Sequence, residues 1–83
     1  MALQQEVKDE IVRQLQDGKW HSTEEVWKKT FVELLYNPAY GQKSVNTLAI
    51  ETYAAVQQAL IGLALEERIE VTKDGRIRIK PER

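Results

Sequence analysis

The sequence predicts a mainly α fold of three helices closed by a small C-terminal β-hairpin. Three observations carry that expectation. Apolar residues recur at three- and four-residue steps in three segments, and Asp17-Gly18 and Asn37-Pro38 break the chain between them. Residues 69–79 then alternate apolar and charged side chains about a turn containing Gly75. The length, 83 residues, corresponds to one domain spanning 1–83.

The first helix spans about residues 3–16, with Leu3, Val7, Ile11, Val12 and Leu15 along one side. Asp9 and Arg13 stand four apart on its wet side, an ion-pair spacing. Gly18 supplies the left-handed residue that ends it. Lys19-Trp20-His21 is long enough only for an extended bridge, with Trp20 the inward residue. In Ser22-Thr23-Glu24-Glu25 the Ser22 hydroxyl is placed to accept from the Glu25 backbone N–H, and the Glu25 side chain to reach back. The second helix, about 23–36, carries Trp27, Phe31, Leu34 and Leu35 as its apolar stripe, flanked by Val26 and Val32. Asn37 ends it, because the residue before a proline is pushed out of the helical region. After a loop at 38–46, the third helix runs from about 47 to 67, with Ser44, Asn46 and Thr47 as candidate caps.

The hairpin, about 68–80, has a register that its own side chains select. A two-residue Asp74-Gly75 turn sets Val71 opposite Arg78 and mixes apolar with charged residues on both faces. A three-residue Lys73-Asp74-Gly75 turn sets Val71 opposite Ile77, Ile69 opposite Ile79 and Glu70 opposite Arg78, leaving one face wholly apolar. The second register is expected, since a one-residue slip turns an apolar set to water. Gly75 also suits the left-handed position of such a turn.

This order of elements and two segments resemble the winged helix-turn-helix superfamily. Residues 15–26, Leu-Gln-Asp-Gly-Lys-Trp-His-Ser-Thr-Glu-Glu-Val, are similar to its passage from helix 1 into helix 2. Val56 to Leu63, followed by Arg68 to Val71, are similar to its recognition helix turning into the wing. The resemblance covers nearly the whole chain apart from the loop. It departs at Glu67, where many members carry glycine. It implies three helices plus a C-terminal wing, helix 3 as the DNA-reading element, and a small DNA-binding transcriptional regulator.

Other chemistry is sparse. There is no cysteine, which excludes disulfides and thiolate metal sites. The lone His21 reads as a turn or packing residue and Ser22 as a cap, and no glycine-rich phosphate loop is present. Neither catalysis, a metal nor a cofactor is expected. No membrane span or signal peptide is read from the sequence, so a cytoplasmic location is the expectation. A chain this short gains stability from a compact helical core or from self-association.

The net charge of −1 hides an asymmetry. Residues 68–83 carry six basic and three acidic side chains, or +3, whereas residues 1–67 carry six and ten, or −4. Arg76, Arg78 and Lys80 are expected to face outward on the hairpin with Lys73 at its tip, where they suit phosphate contacts or guard a sheet edge against aggregation. Lys28, Lys29 and Lys43 are candidates to extend such a surface.

On the third helix, Ala49, Tyr53, Val56, Leu60 and Leu63 share the face expected to be core. Ile50, Ala54, Ile61 and Leu65 form a second stripe. Either the loop with Tyr40 folds over it, or it is an interface to a second copy or another protein. Ala55, Ala59 and Gly62 make a third strip, read as helix propensity with one tolerated glycine. Thr52, Gln57 and Gln58 are the candidates for base edges. Yet residues 44–67 hold no Lys or Arg, a poor endowment for a helix that must approach phosphate. Two functions follow: DNA binding as a homodimeric regulator, or protein assembly on the same scaffold without DNA.

Overall fold

A computed structural model describes residues 3–81. The order is α1 (Leu3–Gln14), β1 (His21–Ser22), α2 (Thr23–Leu35), α3 (Val45–Leu65), β2 (Ile69–Val71) and β3 (Arg76–Ile79). Single 3-10 turns follow α1 at Leu15–Asp17 and precede α3 at Pro38–Tyr40. Glu82 and Arg83, counted in the basic C-terminal segment, lie outside the described residues.

The ends of these elements follow from local chemistry. Gly18 is left-handed at φ 72° and returns its N–H to the Leu15 carbonyl. Ser22 caps α2 by accepting from the Glu25 N–H at 3.0 Å. The reciprocal bond does not form, because the Glu25 carboxylate is engaged by His21 and Lys29. Asn37 stops α2 before Pro38 and caps the short turn through the Ala39 N–H. Ser44 caps α3, which therefore starts two residues earlier than expected.

The hairpin has the expected register, with Ile69 opposite Ile79, Glu70 opposite Arg78 and Val71 opposite Ile77. Gly75 sits at φ 86° in its turn. The extended bridge does more than connect: His21 and Ser22 pair with Ile77 and Arg76, giving a three-stranded antiparallel sheet ordered β1-β3-β2. β3 is thus the central strand, so Arg76 and Arg78 do not guard an edge. The edges are β1 and β2.

Val7 and Ile11 of α1 and Leu15 of the turn after it are fully buried with Leu48, Val56 and Leu63 of α3, joined by Val26 and Leu34 of α2. Ile69 and Ile77 close the core from the sheet. Several expected inward residues lie further out. Trp20 is 39% exposed, while Val32 and Leu35 of α2 are also exposed, their places taken by Val26 and the fully buried Thr30. Arg13 pairs with Glu10 rather than Asp9, which instead accepts from Gln5. Glu10 is thereby buried at the α1–α2 seam with Gln14, whose amide also donates to the Thr30 hydroxyl at 3.0 Å.

Candidate functional site

The buried side of α3 is Leu48, Thr52, Ala55, Val56, Ala59, Leu60 and Leu63. This face is turned by roughly half a residue step, about 50°, from the expected one. The reason is size. Ala55 and Ala59, 5% and 6% exposed, let α1 and α2 come close, whereas Tyr53 is too large for the same position. Tyr53 stays 53% exposed and sets its ring edge-on against Trp27, with centroids 5.7 Å apart. Gly62 lies at the margin of the buried side, and a methyl group there would meet open space.

Thr52 is fully buried, so it cannot reach a base edge. It lies one turn after Leu48 and one before Val56, on the line that packs inward. Its hydroxyl has no hydrogen-bond partner. Gln57 and Gln58 are exposed.

The second stripe is open. Ile50, Ile61 and Leu65 are 71%, 55% and 80% exposed, and Ala54 between them is exposed too. The loop does not cover it, because Tyr40 turns the other way, buried with its hydroxyl donating to Glu6 of α1 at 2.8 Å. Tyr53 and Ala64 flank this outer face. Tyr53 is thus moved from the expected core to this side, and the steps of four and three from Ile50 through Ala54, Gln57 and Ile61 to Ala64 are the sequence signal that marks the face. At its mid-point a shallow groove of about 360 Å³ runs between Thr23, Glu24, Trp27, Tyr53 and Gln57.

The proposed phosphate contacts are dispersed and mostly neutralised. Lys28 pairs with Glu24 at 2.9 Å, Lys29 with Glu25 at 3.4 Å, and Lys43 with Glu51 at 2.6 Å. On the hairpin, Arg76 faces Asp74 at 3.6 Å, Arg78 donates to Glu70 at 2.8 Å, and Lys80 approaches Glu67 at 4.0 Å. Arg78 also lies over the Trp20 ring, 4.5 Å from its centroid, so it is committed to the scaffold. Among the described residues, Lys73 is the one candidate contact with no carboxylate beside it. The arrangement of Lys28 and Lys29 on α2, Lys43 before α3 and the hairpin cations does not form one strip of unpaired charge.

His21 is held at both ring nitrogens, by Glu25 at 2.7 Å and by Asp17 at 2.9 Å. Donating to the Glu25 carboxylate, and then to that of Asp17, raises its pKa above 6.5, and the same bonds lower those of the two carboxyls. The trio ties the end of α1, β1 and the first turn of α2 together. No group of three or more His, Cys, Asp or Glu suited to a metal ion occurs among the described residues.

By length and composition α3 is apolar enough to cross a membrane, with an 18-residue window of mean hydropathy 1.4, although no such span is read from the sequence. Core helices pass the same test, and the buried side of α3 belongs to the core of this fold.

The fold and its two candidate faces thus define a helical chain with a small antiparallel sheet, one open apolar helix face and a basic hairpin. The chain matches no family model, no curated protein and no solved structure.

Proposed function

We propose that this chain is a protein-interaction module on a winged helix-turn-helix scaffold, docking through the outer face of α3. The observation that carries the reading is the exposure of Ile50, Ile61 and Leu65 in line with Ala54, with no described part of the chain over them. An apolar run of this kind on a small chain marks a surface that something else covers. In the superfamily it resembles, this helix would enter a DNA groove; here its outer side offers aliphatic groups and two glutamines, and no cation.

The test is association that depends on the stripe. Tagged wild-type chain and an Ile50→Asp/Ile61→Asp variant are compared for binding to themselves and to proteins of the source cell. A defined partner held by wild type and released by the variant is the expected result. Equal behaviour of the two, with neither self-association nor a defined partner, overturns the reading.

A second reading, binding of DNA phosphates by the hairpin, is favoured by Lys73 and Arg76 at its exposed tip. Exposed ion pairs such as Arg76–Asp74 are weak and open readily to a polyanion. Titration with duplex DNA at several salt concentrations tests it. Affinity that falls steeply with salt, and is reduced in Lys73→Ala/Arg76→Ala, supports it; no detectable binding at low salt excludes it.

A further inference from the structure

We infer that the occupant of the α3 face is α3 of a second copy of this chain, running antiparallel to the first. This rests on the interaction reading above and names its partner. From Ile50 to Leu65 the outer face is a strip about 22 Å long and one helix wide. Stable interfaces begin near 600 Å² per partner, so an occupant must follow the strip along its whole length rather than touch it at one point. A second helix of equal length does so.

The exposed side of the chain's other long helices is unsuited. α1 presents Gln5, Asp9 and Arg13, and α2 presents Glu24, Lys28, Lys29 and Glu33. Burying such charges against Ile50 and Leu65 leaves them without water or partners. α3 is different: Val45–Leu65 contains one charged residue, Glu51, which is already joined to Lys43. Two such faces meet with no like charges opposed.

The spacing supports the same pairing. Ile50, Ala54, Gln57, Ile61 and Ala64 advance by alternating steps of four and three, the period of a seam along which two helices pack. A two-fold axis at Gln57 and Gln58 sets Ile50 against Leu65 of the second copy, and the small Ala54 against its Ile61. The glutamine amides then lie at the axis, where one hydrogen-bonded polar layer fixes register.

The helix dipole selects the direction. A parallel pair sets the two positive N-termini of α3 side by side and the two negative C-termini likewise. An antiparallel pair runs the dipoles in opposite directions, with each C-terminal half beside the other copy's N-terminal half.

The experiment uses the full chain. Sedimentation at increasing concentration is expected to show a monomer–dimer equilibrium, weakened about tenfold or more by Ile61→Glu, which places an unpaired carboxylate in the seam. Gln57→Glu repeats the test with like charges at the axis, and circular dichroism verifies that both variants keep their helices. The chain lacks cysteine, so single thiols report geometry. In a mixture of Ala54→Cys and Ile61→Cys chains, oxidation is expected to join one variant to the other. Joining of like to like overturns the antiparallel arrangement. A chain that stays monomeric at every concentration overturns the second-copy assignment. If that monomer still holds a different protein through Ile50 and Ile61, the interaction reading survives alone; if it instead binds phosphatidylcholine vesicles through the same residues, both fail.

Discussion

The Tyr40 hydroxyl donates to the Glu6 carboxylate at 2.8 Å, tying the loop between α2 and α3 to α1. That single bond settles which way the loop folds. With Tyr40 8% exposed on the α1 side, nothing in the loop is left to cover Ile50 or Leu65 on the opposite side of α3.

Tyr40→Phe should therefore cost about 1 kcal/mol, the net value of one hydrogen bond whose acceptor regains water. Tyr40→Ala should cost about 3 kcal/mol or more by emptying a packed aromatic site. Burial, and then the bond to Glu6, push the Tyr40 pKa up to about 12. The folded chain holds this proton more tightly than the unfolded chain does. Its contribution is complete below about pH 10 and is lost as the pH rises through the folded value. Urea unfolding of the three chains between neutral and alkaline pH measures both effects. A Tyr40→Phe chain as stable as wild type would show the bond to be incidental.

His21 gives a second pH dependence at a lower range. Its pKa is raised by Glu25 and Asp17, so the stabilisation is fully present below pH 6.5 and declines as the pH climbs through the folded value. Asp17 and Glu25, both lowered chiefly by the His21 hydrogen bond, act in the other direction. Their contribution is present above 3.8 and 4.5, their ordinary values, and disappears as acid protonates them in the folded state. Stability of wild type should thus fall on the alkaline side of pH 6.5, and His21→Gln should flatten that limb. Denaturant midpoints at closely spaced pH values decide it; an unchanged slope in His21→Gln would assign the dependence elsewhere.

Much of the backbone was legible because it is decided locally. Gly18, Ser22, Pro38 and Gly75 each act within a few residues, and the hairpin register follows from which of two pairings keeps Ile69, Val71, Ile77 and Ile79 on one side. Packing direction was less legible. Tyr53 and Trp20 are large and apolar enough to read as core, but their burial depends on how closely α1 and the hairpin approach, which is a property of distant residues. The pairing of β1 with β3 likewise needed the tertiary fold to bring His21 beside Ile77. The candidate site divided along the same line. That Ile50, Ala54, Ile61 and Leu65 share a stripe is a matter of helix geometry; that the stripe is open depended on where Tyr40 went. Glu24 and Glu25 stand four residues before Lys28 and Lys29, so those pairs are local, whereas Lys43 meets Glu51 across the start of α3 only once the loop has folded.

Arg78 separates a structural role for the hairpin cations from a phosphate-binding one. Its guanidinium stacks on Trp20 and bonds Glu70, linking the bridge after α1 to both hairpin strands. A lysine keeps the charge but loses the flat group that stacks. Arg78→Lys should lower stability by about 0.5–1 kcal/mol, with a change in Trp20 fluorescence. Thermal unfolding checks the first and emission spectra the second. A variant with wild-type stability but altered DNA affinity would return Arg78 to the list of phosphate contacts.

Thr52 offers a gain of stability in place of a loss. Its side chain is fully buried and its hydroxyl unpaired, so the folded chain bears a desolvation cost with no compensating bond. Thr52→Val keeps the shape and removes the cost, and should stabilise by about 1 kcal/mol. Circular dichroism melts of the two chains give the sign. Destabilisation would mean that the hydroxyl has a partner in solution.

Glu67, the position where the sequence departs from the superfamily it resembles, has a backbone that favours glycine. It lies at φ 58°, the one positive-φ residue other than glycine among the described residues. There it turns the chain from α3 into β2, its N–H bonded to the Ala64 carbonyl and that of Arg68 to the Leu63 carbonyl. A side chain with a Cβ is strained in this region by about 1–2 kcal/mol. The Glu67 side chain returns little, being 79% exposed and 4.0 Å from Lys80. Glycine loses more backbone freedom on folding, which offsets part of the relief. Glu67→Gly should therefore stabilise the chain by about 0.5–1 kcal/mol, and Glu67→Asn by less, since asparagine tolerates the left-handed region only in part. Glu67→Val, whose branched Cβ is least compatible with it, should destabilise. Equilibrium unfolding of the four chains ranks them. The order glycine, asparagine, glutamate, valine follows if the backbone sets the cost; glutamate ranking first would instead make its side chain the stabilising group at this turn.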